Sequence, residues 1–178
     1  VKASTIYELF RSTVETHGAR RAYGWKEGKK DYVYLTYTET WERVQALRRG
    51  LADMGIGVGS RVALLSENRV EWALTDLATQ SLGAVTVAIY PTLPAEQVEY
   101  LLRDSGSVVL VVSDAKQLAK GLEAKPRVET LKTIVSVAPS LEDADLSFAE
   151  LERRGGESKL TVEELDARIA SITPDDLA

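Results

Sequence analysis

The sequence predicts an α/β fold: a doubly wound, mostly parallel sheet with helices on both faces, preceded by a helix and a β-hairpin. Three observations lead there. From Arg61 onward, short and nearly uninterrupted apolar runs alternate with amphipathic segments bounded by turn residues, the rhythm of buried parallel strands joined by helical crossovers. Before Arg61, two helix-start signals bracket a pair of β-branched and aromatic runs. Crossovers of this length return each strand parallel to the last, with right-handed connections.

The elements follow in order. Thr5 with Glu8 three residues on is a capping box, and the helix it opens carries Ile6, Leu9, Phe10 and Val14 as its apolar stripe before stopping at Gly18. His17, the single histidine, stands at the end of that helix, where a cation suits the dipole; this is a capping position rather than a catalytic one. Residues 22–25 and 32–35, separated by KEGKKD, read as a β-hairpin. Thr36 and Glu39 open a second helix that buries Tyr37, Trp41, Val44, Leu47 and Leu51, with Gly55 as its left-handed cap. Four strands then appear as RVALLS from Arg61, AVTVAI from Ala84, VVLVV from Val108 and TIVSV from Thr133, each expected to be buried on both faces. Between them, one helix starts near Asn68, whose side chain caps it with Glu71 at the third position, and ends at Gly83. The next has Pro94 in its first position, buries Val98, Leu101 and Leu102, and ends near Gly106; a third follows Asp114. Ser147 with Glu150 and Thr161 with Glu164 mark two last helices, separated by Gly155 and Gly156 and expected to be peripheral.

Composition narrows the function classes. A length of 178 residues, with no internal repeat, low-complexity tract or long linker, predicts a single α/β domain spanning 1–178. Apolar residues at 44% and interspersed charges at 28% are the balance of a folded chain. The formal net charge of −5 leaves no basic stripe for a phosphate backbone, so nucleic acid is not expected as a partner. With no cysteine, disulfides, thiolate metal sites and cysteine nucleophiles are excluded. No apolar run approaches the ~20 residues of a spanning helix and no signal segment is visible, so the expected location is the cytoplasm.

Gly55, Gly57 and Gly59 suggest a dinucleotide-binding turn, but that motif runs from strand to helix and here a helix leads in and a strand leads out. They read as a helix cap and turn. In a doubly wound sheet, ligands gather at the carboxyl ends of the strands, which here means Ser66, Glu67 and Asn68, then residues 90–93, then Ser113 and Asp114. Each also has a structural role open to it: Asn68 and Asp114 as caps, Tyr90 as a rim aromatic, Pro91 and Pro94 as turn formers. No carboxylate pair is spaced for glycoside hydrolysis, one histidine builds no metal set, and no serine sits in a nucleophile elbow. Nor is there a glycine-, serine- and threonine-rich loop with a lysine to cradle a triphosphate. No catalytic residue and no metal ligand is therefore assigned.

Several strings together resemble the front of an AMP-forming acyl-CoA synthetase: TYTE at Thr36, the helix-glycine-strand passage through Gly55 and Arg61, SEN at Ser66, LGAV at Leu82 and PTLPAEQ at Pro91. The run IYPTLPAEQVEYLLRDS is most similar to the long-chain fatty acid CoA ligase branch of the adenylate-forming superfamily. The resemblance implies a parent enzyme that uses ATP, magnesium and coenzyme A. A fatty acid carboxylate attacks ATP to give an acyl-adenylate and pyrophosphate, and the coenzyme A thiol then displaces AMP, with phosphate and oxyanion charge stabilised throughout. In such enzymes the phosphate loop follows a segment like SITPDDLA, so the resemblance implies that the chain stops just upstream of it and is an inactive scaffold for the remainder of the parent enzyme. It places Tyr90 and Thr92 near the coenzyme A passage, and it leaves room for a homodimer contact and for peripheral membrane contact by the parent.

Two other classes compete. A flavodoxin-like binding or regulatory module such as a receiver would use Asp114 as its aspartate, but only Glu67 follows RVALLS and TIVSV ends without a lysine. An interaction or oligomerisation domain would pair an exposed sheet edge with another chain, and predicts self-association.

Overall fold

Five parallel strands form the centre of the protein in a computed structural model that describes residues 3–28, 31–139 and 142–176. They are β3 (Arg61–Leu65), β4 (Val85–Ile89), β5 (Val109–Val112), β6 (Thr133–Ser136) and β7 (Leu146–Ser147), in the order β4-β3-β5-β6-β7. The chain thus starts inside the sheet, steps to one edge and then moves to the other, with the switch between β3 and β5. The period-2 alternation of side chains divides the core. Val62, Leu64, Val109, Val111 and Val135 face one layer, and Ala63, Leu65, Leu110, Val112 and Ile134 face the other. The first layer is closed by α2 (Tyr37–Asp53) and α3 (Val70–Gln80), the second by α4 (Ala95–Ser105) and α5 (Ala115–Ala124).

The expectation of strands buried on both faces holds for β5 and, beyond its first residue, for β3 and β6. It fails for β4, which is the edge strand: Ala88 is exposed, and Thr86 and Val87 are only half-buried. The two-residue β7 is too short to have left a pattern in the sequence.

Helix α1 (Ile6–His17) begins as predicted, with the Thr5 side chain accepting from the Glu8 amide. The return bond of the capping box goes elsewhere, since the Glu8 carboxylate accepts from the Ser4 amide and hydroxyl at 2.7 and 2.6 Å. Its buried face also differs from the predicted stripe: Tyr7 and Phe10 point inward, while Ile6 and Leu9 are 50% and 56% exposed. Tyr7 stacks on Trp41 at 5.9 Å, and its hydroxyl accepts from Arg48 and donates to Asp166. Strands β1 (Arg21–Glu27) and β2 (Asp31–Thr36) pair antiparallel as the predicted hairpin, with Tyr23, Trp25 and Leu35 packed on the core. Lys29 and Lys30 of its turn lie outside the described residues.

Helix α2 carries a complete capping box at Thr36 and Glu39. It ends in a Schellman motif: Gly55 at φ 84° lets its own amide reach the Ala52 carbonyl at 2.9 Å and the Ile56 amide reach Leu51 at 3.1 Å. Two other cap assignments are corrected. Arg69, not Asn68, is the N-cap of α3 and makes no side-chain cap bond; its guanidinium instead takes the Glu71 carboxylate at 2.7 Å. Pro94 occupies the N-cap of α4, one position before the first helical residue.

The last helices are not peripheral. α6 (Phe148–Glu157) runs through both Gly155 and Gly156 and crosses α2, burying Phe148 and Leu151, and α7 (Val162–Arg168) buries Leu165. At the crossing, a Cβ on Gly155 would lie 1.7 Å from the Ala46 carbonyl oxygen, so only glycine permits this approach. The Ser147 hydroxyl accepts from the Glu150 amide as predicted, but the Glu150 carboxylate turns to Arg153 and Arg154 and leaves the box half-made; the Thr161 box is complete.

Candidate functional site

Because parallel strands all end on one side, the segments after β3 and β4 are brought together there, with Leu65 paired to Ile89. Ser66, Glu67 and Asn68 form one wall of a cleft of about 420 Å³, and Ala88, Ile89, Tyr90 and Pro91 form the other, with the Trp72 ring from the first turn of α3 between them. Most of the strand-end residues singled out in the sequence therefore converge. Tyr90 is a rim residue, 77% exposed. Thr92 is exposed on the next turn and does not line the cleft. Ser113 and Asp114 sit behind it at the end of β5, where Asp114 caps α5 by accepting from the Gln117 amide at 2.9 Å.

The neighbouring end of β5 is polar. The Glu67 carboxyl is held below its ordinary range, first by the Ser113 hydroxyl and then by its own backbone amide, against the opposing effect of burial, with the Arg69 charge and Gln117 adding to the lowering. Ser113 Oγ and Gln117 Oε1 are buried and have no hydrogen-bond partner among the described residues. From α5, Lys120 Nζ donates to the Pro91 carbonyl at 2.7 Å. Burial, followed by the charge of Lys116, pushes the Lys120 pKa down.

The cleft thus offers an ionised carboxylate, an amide, two aromatic rings and an aliphatic wall. It suits a slender, uncharged chain with amide groups better than a phosphate, which Glu67 would repel. The Ser66 hydroxyl donates to the Glu67 carbonyl at 2.8 Å. Among the described residues, no group of three or more histidine, aspartate or glutamate side chains stands close enough to hold a metal ion. A larger hollow of about 610 Å³ lies at the amino ends of β3 and β4, among Ile6, Val58, Val85 and Ile172. Arg61 there is already committed to the Ser105 and Gly59 carbonyls, so the carboxyl edge is the better equipped site. The Gly55–Gly59 segment forms a plain turn between α2 and β3, closed by the Ser60 amide on the Gly57 carbonyl at 2.9 Å.

Sequence reasoning missed Trp72 and Lys120. Trp72 could have been found as an aromatic in the first turn of the helix leaving a strand end. Lys120 carried no local signal.

Residues 10–178 match the family model described as AMP-binding enzyme. The chain is 34% identical over 144 residues to the long-chain-fatty-acid–CoA ligase FadD15 of Mycobacterium bovis, covering 81% of this chain and 23% of that protein. It is 36% identical over 132 residues to the long-chain-fatty-acid–CoA ligase ACSBG2 of Rattus norvegicus, covering 74% and 20%. The matched part thus amounts to between a fifth and a quarter of these relatives' length. Among solved structures, the anthranilate CoA ligase AuaEII in complex with anthranoyl-AMP superposes with a TM-score of 0.76 at 21% identity, over 84% of this chain and 28% of that one. The N-terminal domain of FACL13 from Mycobacterium tuberculosis superposes with a TM-score of 0.68 at 24% identity, over 99% and 38%. At these identities the superpositions establish the fold.

Proposed function

The chain belongs to the AMP-binding enzyme family, and from that premise we propose that the whole protein is a long-chain fatty acid CoA ligase, joining a fatty acid to coenzyme A with conversion of ATP to AMP and pyrophosphate. The observation that carries the substrate class is the 34% identity to FadD15 across 81% of the chain. In this reading residues 1–178 are one unit that scaffolds the nucleotide chemistry without performing it. ATP and magnesium do not fit the residues present: the sequence has no glycine-, serine- and threonine-rich loop with a lysine, and the described residues hold no acidic set for a cation. No step through either is assigned to this chain.

Coenzyme A fits differently. The cleft between Asn68, Trp72 and Tyr90 is proposed to take part of its pantetheine arm, with Thr92 further along the same passage and the phosphates kept away by Glu67. Calorimetry and amide-shift titrations of the chain test both halves. ATP and a stable acyl-adenylate analogue should give no micromolar binding, whereas pantetheine should shift Asn68, Tyr90 and Thr92. Micromolar ATP affinity refutes the scaffold reading, and unmoved cleft amides refute the coenzyme A assignment.

Two further parts of the proposal concern surroundings. The outer side of β4 pairs with no strand among the described residues, and an open edge of this kind invites pairing. The chain should self-associate, and a clean monomer in sedimentation at high concentration counts against that. A cytoplasmic protein with peripheral membrane contact is also proposed; no helix of the described residues is long and apolar enough to cross a membrane, and cell fractionation distinguishes the compartments.

A further inference from the structure

We infer that Lys120 is a positioning residue that holds the turn after β4 against α5 and thereby sets the width of the cleft at the carboxyl edge of the sheet. The turn at residues 90–93 leaves an edge strand, so it has a neighbouring strand on one side only. Its internal closure is a single backbone bond, from the Leu93 amide to the Tyr90 carbonyl at 3.1 Å. Two of the four residues at 91–94 are prolines, which have no amide to donate. Among the described residues, the hydrogen bond that ties this turn to another element is the one from Lys120 Nζ to the Pro91 carbonyl, at 2.7 Å, reaching back from α5 across 29 positions of sequence.

The chemistry of the contact suits a latch. An ammonium donating to a carbonyl is a charge-assisted bond, stronger than a neutral one, and the Lys120 side chain is partly withdrawn from water, so the bond is less screened than a surface contact. The ammonium also lies in the fields of Glu67 and Asp114, opposed by Lys116. Glu67 belongs to the wall opposite Pro91. A single cation therefore holds the carbonyl of one wall while standing in the field of the carboxylate of the other, and its loss frees the turn. The latch is a property of the empty cleft and goes beyond the coenzyme A reading.

The test is amide hydrogen exchange on the ligand-free chain, comparing Lys120→Met, which keeps the apolar stem, with Lys120→Arg, which keeps the donor and the charge. In Lys120→Met the Leu93 amide should exchange about tenfold faster, with Leu64 and Val111 in the central strands unchanged. Lys120→Arg should restore Leu93 to within about twofold of the starting rate. Trp72, at the base of the cleft, should become more open to acrylamide quenching in the methionine variant only. Equal Leu93 exchange in Lys120→Met and the unsubstituted chain overturns the inference, as does failure of arginine to restore protection. Should the methionine variant not fold, nuclear Overhauser contacts between the Lys120 methylenes and Pro91 in the unsubstituted chain decide: their presence supports the latch and their absence overturns it. None of these readouts involves coenzyme A, so they stand apart from any failure of the ligand assignment.

Discussion

Replacing Gly155 with alanine should unfold the protein at a markedly lower denaturant concentration, although alanine is the better helix former. At a free helical site the exchange gains roughly 1 kcal/mol of propensity. Here the new methyl carbon would sit 1.7 Å from the Ala46 oxygen and 2.7 Å from both the Ala46 carbon and the Gly50 nitrogen, all backbone atoms of α2 that no rotamer change can move. Restoring an ordinary carbon-to-oxygen contact requires the helices to part by about 1.5 Å. That displacement strains the Arg49 bond to the Gly155 carbonyl at 2.8 Å and the paired Arg43–Glu152 bonds at 2.7 and 2.9 Å. It also lifts Phe148 and Leu151 off the core that buries them. Overpacking of this kind typically costs about 1–3 kcal/mol, and partial exposure of two large apolar side chains adds roughly 1–2 more. Set against the propensity gain, the net loss is about 1–4 kcal/mol. Gly156 is the internal control: nothing lies within 4 Å of its hypothetical Cβ, so Gly156→Ala should stabilise by roughly 0.5–1 kcal/mol. Urea unfolding measures both as shifts in midpoint at constant slope. A Gly155→Ala protein as stable as its Gly156→Ala counterpart would refute the close crossing of α2 and α6.

Other expectations follow from the ionic groups and the cleft. Arg48 is fully buried on α2 and bonds Asp166 of α7 at 2.7 Å, with its Nε and Nη2 lacking hydrogen-bond partners among the described residues; Asp166→Ala strands that charge and should cost about 2–3 kcal/mol, discounted for the partial exposure of Asp166. Arg48→Met, which removes the charge itself, should cost less when the two variants are compared in thermal melts, and the opposite ranking would contradict the assignment. The Glu150 carboxyl is drawn down from 4.5 to about 2 by bonds to Arg153 and then Arg154. Its contribution to α6 is therefore complete above pH 4.5 and fades as pH falls toward 2; carbon-detected titration of its carboxyl, and loss of this pH dependence in Glu150→Gln, check the sign. In the proposed full-length ligase, Tyr90→Ala should raise the KM for coenzyme A by roughly fivefold while leaving adenylate formation, read by pyrophosphate exchange, unaltered; an effect on exchange alone would remove Tyr90 from the proposed coenzyme A path.

What was legible in the sequence, and what was not, divides along a physical line. The central strands were readable because a strand buried on both faces must be apolar throughout, as in the VLVV of β5. The VTVAI of β4 is composed in the same way, yet it lies at an edge, because strand order is a property of the assembled sheet and leaves no mark on one strand. The face of α1 was misread for a similar reason. Tyr7 turns inward because its hydroxyl meets Arg48 and Asp166, 41 and 159 residues away, and helical periodicity records only the side chains' own polarity. Gly155 and Gly156 look alike in sequence and together suggest a break between two helices, but one lies against the backbone of another helix and the other faces open space.

The same division explains the site. Its outline, residues 66–68 and 90–91, followed from the rule that parallel strands present their carboxyl ends together, which needs only strand positions. The interactions that give the outline a fixed shape needed three dimensions: Lys120 stands 29 residues beyond the carbonyl it holds, and the Ser113 hydroxyl that lowers the Glu67 pKa comes from a different strand end. Local sequence can therefore say where a doubly wound sheet will open, while the groups that hold the opening at one width come from wherever the fold happens to bring a donor. Lys120 and Gly155 are alike in this respect: each matters through a backbone carbonyl of another element, a partner that no side-chain pattern records.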